Sequence, residues 1–347
     1  FIEASFTSLS LSDGHASWPF QTFAPPTEGA ATQALLTAAR QVGDRLQFLA
    51  LEDSGGVGWI GLTLANEKHW MLSPMGADLY SGTGGIALFL AYLGEITQEE
   101  GYTKLAKQAL QNMLAQLDFI KGKTNAIGGF SGYGSIIYTL THLAALWQQP
   151  DLLDHAEALI DYLEELVPKD TQYDIIGGSA GTLLGLVALY QVRPSARVLA
   201  AALLCGEHLL QEAEIQPRGI GWPKKEIQEP ALAGFSHGAA GVAAALLALH
   251  QIQPDARYLA AAQNAFTYER SLFSEEAQNW PDLRQPTDER EKEIEVERFM
   301  LAWCHGAPGV GLGRLKVLDV LRDAAIEAEI ATAVRTTQQI GFGHNHS

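Results

Sequence analysis

Two short segments of the chain hold the side chains best suited to chemistry. Cys304 and His305 place a thiol beside an imidazole, and His237 places a second imidazole in a segment of the same kind. Each segment comes directly before an apolar run, so the three side chains are expected at helix N-termini. There the helix dipole and the unpaired backbone N–H groups stabilise a thiolate, a carboxylate or a developing enolate.

The sequence position of Cys304 allows three interpretations. A cysteine at the start of a helix has a lowered pKa and acts as a metal ligand or a nucleophile, but it can also be buried and inert. A zinc site needs at least three protein ligands, so a metal at Cys304 would require partners from the histidines His237, His305, His344 and His346. The second cysteine, Cys205, lies in an Ala/Leu-rich segment and is predicted to be a core residue.

Both segments belong to a repeat of five glycine turns. The turns are 46 to 68 residues apart and are centred on Gly82, Gly132, Gly178, Gly238 and Gly306. A nearly apolar run follows each turn and an amphipathic segment follows each run, which is the pattern of buried helices alternating with half-exposed ones. The amphipathic segments, which predict the outer helices, include Leu152–Val167 and Lys316–Thr336. The repeat therefore predicts an all-α fold with two concentric layers of helices, an α/α toroid.

The domain organisation follows from where the repeat begins. Residues 1–75 are predicted to form an N-terminal segment with a helix at Thr32–Leu51 and a short hairpin between Trp59 and Leu72, and residues 76–347 are predicted to form the toroid. A charged helix is predicted at Asp288–Arg298, within a long polar insertion. Loops of this kind gather at the mouth of a toroid, where they would select the substrate.

Composition and charge exclude several functions. The 347 residues include 23 basic and 40 acidic side chains, and the net charge of −17 repels phosphate backbones and anionic lipids. The sequence therefore predicts no nucleic-acid partner and no membrane partner. It shows no signal peptide, and its two distant cysteines do not make a disulfide framework, so we expect a cytoplasmic protein.

The five turn motifs, taken in order, resemble those of the lanthionine synthetase C-like (LanC-like) family. The resemblance is strongest to the C-terminal cyclase domain of bifunctional class II lanthipeptide synthetases, and it covers nearly the whole chain. The motifs are Asp78-Leu-Tyr-Ser-Gly-Thr-Gly-Gly, Gly129-Phe-Ser-Gly-Tyr-Gly, Asp174-Ile-Ile-Gly-Gly-Ser-Ala-Gly, Leu232-Ala-Gly-Phe-Ser-His-Gly and Ala302-Trp-Cys-His-Gly-Ala-Pro-Gly. The resemblance implies seven inner and seven outer helices around a catalytic zinc ion (Zn²⁺).

The resemblance also implies roles for individual residues. Cys304 matches the first zinc ligand, and the other ligands are expected just beyond Ser347, where the family has a Cys-His or Cys-Cys pair. His237 matches a proton donor or acceptor, and His305 is the alternative acid. Asp174 matches an aspartate of the same cavity, although on its own it could equally be a carboxylate that stabilises a helix N-terminus.

The activity implied by the family is the cyclisation of a precursor peptide that carries a leader. Zinc deprotonates a peptide thiol, whose pKa is otherwise about 8.5. The thiolate adds to the β-carbon of dehydroalanine or dehydrobutyrine, and a histidine protonates the resulting enolate to give lanthionine or methyllanthionine. The implied partner is an upstream dehydratase domain of the same polypeptide.

Three other functions are compatible with these residues. Glycoside-cleaving enzymes also use α/α toroids but need two carboxylates in the cavity, and the motif turns offer only Asp78 and Asp174. A non-catalytic peptide-binding module would result if the remaining zinc ligands were absent. A glutathione-adding LanC-like enzyme would differ in the source of the thiol.

Overall fold

The structure is a computed structural model and is described for residues 28–66, 69–224, 230–284 and 298–341. The chain divides into two compact units, Phe1–Arg45 and Leu46–Ser347. The predicted domain boundary at residue 75 stays a prediction. All of the predicted helix at Asp288–Arg298 except its last residue lies outside the described residues, as do His344 and His346.

Helix α1 (Glu28–Leu49) is followed by two antiparallel hairpins. Strand β1 (Leu51–Asp53) pairs with β2 (Gly56–Gly58), and β3 (Ile60–Asn66) pairs with β4 (His69–Pro74). Both the helix and the hairpin predicted in this region are thereby confirmed.

Five pairs of helices make up most of the remaining described chain. In each pair, an apolar helix that starts at a glycine turn precedes an amphipathic helix. The pairs are α2 (Thr83–Thr97) with α3 (Glu100–Ile120), α4 (Tyr133–Trp147) with α5 (Asp151–Glu157) and α6 (Ile160–Leu166), α7 (Ser179–Val192) with α8 (Ala196–Gln211), α9 (Ala239–Ile252) with α10 (Ala256–Ser271), and α11 (Gly306–Lys316) with α12 (Ala324–Ile340). A 3-10 turn, Val167–Lys169, follows α6, and the short strands β5 (Glu214–Ile215) and β6 (Ile220–Gly221) follow α8.

The apolar helices form the inner layer. Helix α2 packs against α4, α4 against α7, α7 against α9 and α9 against α11, and each also packs against its own amphipathic partner. Helix α9 is buried at every position from Ala239 to Leu247, whereas α8 buries one face that includes Val198, Ala202 and Cys205. The two burial patterns are those of an enclosed and a half-exposed helix. The predicted α/α toroid is confirmed, and the described residues contain five of the seven pairs implied by the resemblance.

The structure differs from the prediction in two outer helices. The helix expected at Leu152–Val167 is divided into α5 and α6, because i→i−3 hydrogen bonds replace the α-helical pattern near Leu159. The helix expected at Lys316–Thr336 starts later, at Ala324. Asp323 caps it by accepting a hydrogen bond from the backbone N–H of Ile326, and Lys316 instead ends the inner helix α11.

Backbone hydrogen bonds join the glycine turns into a ladder at one end of the inner helices. The N–H of Tyr80 donates to the carbonyl of Phe130 (3.0 Å), that of Gly129 to Ile175 (3.1 Å) and that of Ile175 to Ser236 (3.0 Å). The ladder sets the spacing of the turn side chains. At Gly306, φ is +74° and a Cβ atom would overlap the carbonyl oxygen of Met300, so this turn requires glycine.

None of the helices in the described part of the chain is both long enough and apolar enough to serve as a membrane span.

Candidate functional site

The turns before α7 and α9 bring Asp174 and His237 together. Asp174 Oδ2 lies 2.8 Å from His237 Nδ1, across 63 residues of sequence. The Asp174 side chain is 3% exposed and the His237 side chain is 31% exposed. The imidazole can therefore meet a reactant, while protein shields the carboxylate that orients it.

Asp174 also makes a hydrogen bond within its own turn, as Asp78 does in the first turn. Its Oδ1 accepts a hydrogen bond from the N–H of Gly177 at 2.8 Å, and Asp78 Oδ1 accepts the equivalent bond from Ser81 at 2.8 Å. Both aspartates thus close their turns. Asp174 uses its other oxygen for His237, so one carboxylate makes both contacts, and its catalytic role stays a prediction.

A lysine contacts the same carboxylate. Lys224 Nζ lies 3.1 Å from Asp174 Oδ2 and 3.0 Å from Gln172 Oε1, and its side chain is 11% exposed. Lys224 follows β6 in a connecting segment outside every motif. For this reason, no signal in the sequence predicts that Lys224 pairs with Asp174.

These neighbours keep Asp174 ionised. Burial by itself would raise the pKa of the carboxyl group, but the hydrogen bond and charge of His237, the ammonium group of Lys224 and the Gly177 N–H together lower it below its ordinary value. A carboxylate at Nδ1 fixes the tautomer of His237 and leaves Nε2 as the nitrogen that faces a reactant.

His305 lies beside His237 but is enclosed by protein. The two ring centroids are 5.7 Å apart, and His305 is 1% exposed. Its Nδ1 lies 3.2 Å from the carbonyl oxygen of Ala233, and its Nε2 is buried with no hydrogen-bond partner among the described residues. Burial lowers the pKa of His305 to about 4; the Asp282 carboxylate opposes this effect and the Arg284 guanidinium adds to it. The geometry therefore favours His237 over His305 as a proton donor.

Cys304 lies in the turn before α11 as a half-buried free thiol. Burial raises its pKa, and the neighbouring backbone N–H groups and the Arg284 guanidinium only partly offset that effect. The lowered thiol pKa expected from the helix N-terminus is therefore wrong for the protein without metal, because loss of hydration outweighs the dipole. Cys205 is fully buried, and the prediction that it is a core residue is confirmed.

The described residues do not complete a zinc site. They contain no group of three or more His, Cys, Asp or Glu side chains placed to hold a metal ion, and zinc needs at least three protein ligands. Cys304 offers one thiol. The zinc prediction and the ligand role of Cys304 stay predictions.

A cleft of about 580 Å³ opens next to Asp174 and His237. The turns before α4 and α7 and the segment after α6 form its walls, and polar side chains such as Ser131, Lys169 and Gln172 line it. Its volume lies within the range of typical ligand sites.

A buried ion pair holds the turn that carries His237. Glu269 Oε1 accepts hydrogen bonds from the N–H groups of Gly234 (2.8 Å) and Ala240 (2.9 Å), and its Oε2 lies 2.8 Å from Arg314 Nη1. Both charged side chains are 0% exposed. The outer helix α10 thereby fixes the turn on both sides of His237. The sequence does not predict this contact, because the position of Glu269 in an amphipathic segment is also typical of an exposed polar residue.

Comparison with known proteins identifies the family. The family model described as "Lanthionine synthetase C-like protein" matches residues 73–347. The chain belongs to the lanthionine synthetase C-like family. This LanC-like chain is 21% identical over 273 residues to the lacticin 481/lactococcin biosynthesis protein LcnDR2, and 25% identical over 286 residues to the nisin biosynthesis protein NisC, both of Lactococcus lactis subsp. lactis.

The two matches differ in how much of each relative they cover. They include 77% and 73% of this LanC-like chain, but only 26% of LcnDR2 and 65% of NisC. The chain therefore spans about a quarter of the first relative and less than two thirds of the second.

Solved structures share the α/α toroid of this chain. Nisin cyclase has a TM-score of 0.56 and 20% identity, with 90% of this chain and 77% of that chain covered. D-mannose isomerase has a TM-score of 0.53 and 12% identity, with coverage of 90% and 87%. At these identities the likeness establishes the fold.

Proposed function

We propose that this LanC-like chain is a lanthipeptide cyclase, which joins a cysteine thiol of a precursor peptide to a dehydroalanine or dehydrobutyrine of the same peptide. The observation that carries the proposal is the buried Asp174 carboxylate bonded to the accessible His237 imidazole beside the cleft. Membership of the family and similarity to proteins named for nisin and lacticin 481 biosynthesis support it.

The precursor peptide would lie in the 580 Å³ cleft. The hydroxyl, ammonium and amide groups of Ser131, Lys169 and Gln172 suit hydrogen bonding to an extended peptide backbone. We further propose that a dehydratase domain of the same polypeptide supplies the dehydrated residues, since the relative LcnDR2 is far longer than the part matched here.

The ring-closing step needs one proton. The thiolate sulfur forms a bond to the β-carbon, the electron pair of the double bond moves toward the adjacent carbonyl, and the resulting enolate takes a proton at its α-carbon. His237 would donate that proton from Nε2, and Asp174 would stabilise the imidazolium form. General acid catalysis of this kind contributes about 10²- to 10⁴-fold in rate.

Zinc remains the proposed cofactor, with Cys304 as one ligand and the others from residues outside the described part of the chain. When bound, it would supply a Lewis acid that ionises the peptide thiol at neutral pH.

Ring closure can be tested with a peptide that contains one cysteine and one dehydroalanine. Because the product has the mass of the substrate, we would follow loss of the thiol by alkylation with N-ethylmaleimide. We expect His237→Gln to slow ring closure at least ~100-fold. His250→Gln, the same change at the far end of α9, should leave the rate within about twofold, since His250 bonds Asp255 and lies away from the turn ladder.

Metal content tests the role of Cys304. Cys304→Ala should lower bound zinc at least ~10-fold with unchanged helicity, whereas Cys205→Ala should keep the metal. A wild-type protein that forms no ring with zinc present would contradict the cyclase proposal. Peptide binding without ring closure would point to a binding module, and addition of glutathione to the dehydroalanine would point to the glutathione-adding alternative.

A further inference from the structure

Asp174 Oδ2 is bonded to two nitrogen groups that behave differently during catalysis. The His237 imidazole (2.8 Å) loses and regains a proton if it acts as proposed, whereas the Lys224 ammonium (3.1 Å) keeps its charge. Both groups share one oxygen of a carboxylate that is 3% exposed. The two contacts therefore cannot be equivalent.

The charge of Asp174 needs a partner while His237 is neutral. Once the His237 imidazole has given up its proton, it no longer offsets the negative charge of the Asp174 carboxylate. A buried carboxylate without a counter-ion is unfavourable and tends to take up a proton itself. A protonated Asp174 would no longer hold His237 in the required tautomer.

We propose that Lys224 is a positioning residue, the permanent counter-ion that keeps Asp174 ionised and directed at His237 while His237 changes charge. The inference rests on the proposed function for its catalytic meaning, but the counter-ion role can be measured without any substrate. Lys224 is itself held in place by Gln172 Oε1 at 3.0 Å.

The position of Lys224 has a consequence for Asp174. While His237 is neutral, the fixed positive charge 3.1 Å from the shared oxygen is what favours the ionised carboxyl group, so removal of Lys224 should raise the pKa of Asp174.

Among the described residues, the other charged groups around the pair have contacts of their own. Asp170 Oδ2 accepts hydrogen bonds from the N–H and hydroxyl of Ser179, and the exposed Lys169 lines the cleft. On the side of α11, the His305 ring stacks on the His237 ring, and the Asp282–Arg284 ion pair acts electrostatically on His305.

The experiment is an NMR titration of the complete chain labelled with ¹³C at the aspartate carboxyl groups. The resonance of Asp174 is assigned by its loss in Asp174→Asn. We expect Lys224→Met to raise the pKa of Asp174 by about one unit. Lys224→Arg, which keeps the charge, should change it by less than ~0.3, and so should the matched control Lys169→Met, which removes a cation from the same cleft.

Activity provides the second measurement. If Asp174 must be ionised to hold His237, the rate of ring closure falls as pH falls through the pKa of Asp174, so that limb of the pH profile should move upward in Lys224→Met by the shift seen in NMR. An Asp174 pKa that is unchanged or lowered in Lys224→Met would overturn the counter-ion role, whatever the activity. Absence of ring closure in the wild type would instead overturn the proposed function. If circular dichroism shows that Lys224→Met is unfolded, Lys224→Gln takes its place.

Discussion

At the scale of single residues, the site depends on one carboxylate that makes two kinds of contact. Asp174 closes a turn with Oδ1 and holds His237 and Lys224 with Oδ2. Asp78 makes the same turn bond. Turn closure is therefore common to both aspartates, and the contacts of the second oxygen with His237 and Lys224 are what distinguish Asp174 from Asp78.

The charge of Asp174 should make stability depend on acidic pH. Its pKa in the folded state lies below the ordinary value of 3.8, so its contribution is present above that value and is lost as pH falls through the folded pKa. We expect Asp174→Asn to lower the free energy of unfolding by about 1–3 kcal/mol at pH 7. The difference from wild type should shrink as pH falls below about 4.

Urea unfolding at a series of pH values measures this difference. Asp78→Asn is the matched control, because it makes the same exchange of a carboxylate for an amide at the equivalent turn bond and so reports the cost of that exchange. A difference between wild type and Asp174→Asn that stays constant or widens in acid would show that the ion pairs do not stabilise the folded state.

At the scale of elements, the outer layer positions the inner one. Helix α10 contributes Glu269, which bonds the backbone on both sides of His237 and pairs with Arg314 of α11. The inner helices bring the turns to one end of the toroid, but this buried pair fixes the turn before α9 in particular. The site therefore depends on an outer helix that contributes no reacting group.

We expect Glu269→Ala to lower the free energy of unfolding by about 3–5 kcal/mol, because it leaves the Arg314 guanidinium buried with one of its two carboxylate partners removed. Glu327→Ala removes an exposed carboxylate from the Arg322 ion pair and should cost less than about 1 kcal/mol. Denaturant unfolding compares the two variants. Equal losses of unfolding free energy in the two variants would mean that the buried Glu269–Arg314 pair is no more stabilising than an exposed ion pair.

The elements themselves could be predicted to different degrees. The turn ladder and the inner helices follow from glycine spacing and from apolar runs, which are local patterns. The outer helices were placed correctly except where the cap at Asp323 and the tightened bonds near Leu159 set their ends. Those ends depend on single side chains and local hydrogen bonding, to which hydrophobic periodicity is not sensitive.

At the scale of the whole molecule, net charge shapes the encounter with substrate. The chain carries a charge of −17, and a field of one sign speeds association with partners of the opposite sign. If the chain acts as the cyclase proposed above, this field should favour precursor peptides that are locally basic.

We expect a substrate peptide with a tail of four lysines to have a higher kcat/KM than the same peptide with a tail of four glutamates at about 20 mM salt. The difference in kcat/KM between the two peptides should become smaller at about 500 mM salt, because dissolved ions then screen the attraction between protein and peptide charges beyond a few ångströms. The two peptides serve as controls for each other in the ring-closure assay. Equal values at low salt, or a preference for the glutamate tail, would exclude electrostatic steering.

The sequence by itself determined the family, the toroid and the turns that carry Asp174, His237, Cys304 and His305, because repeats and motifs are properties of neighbouring residues. Only the tertiary structure decided which of these side chains meet. It paired His237 with Asp174, enclosed His305, and brought Lys224 and Glu269 to the site from segments without a motif. Contacts between residues that are far apart in sequence depend on how the helices pack, and a local pattern carries no record of that packing.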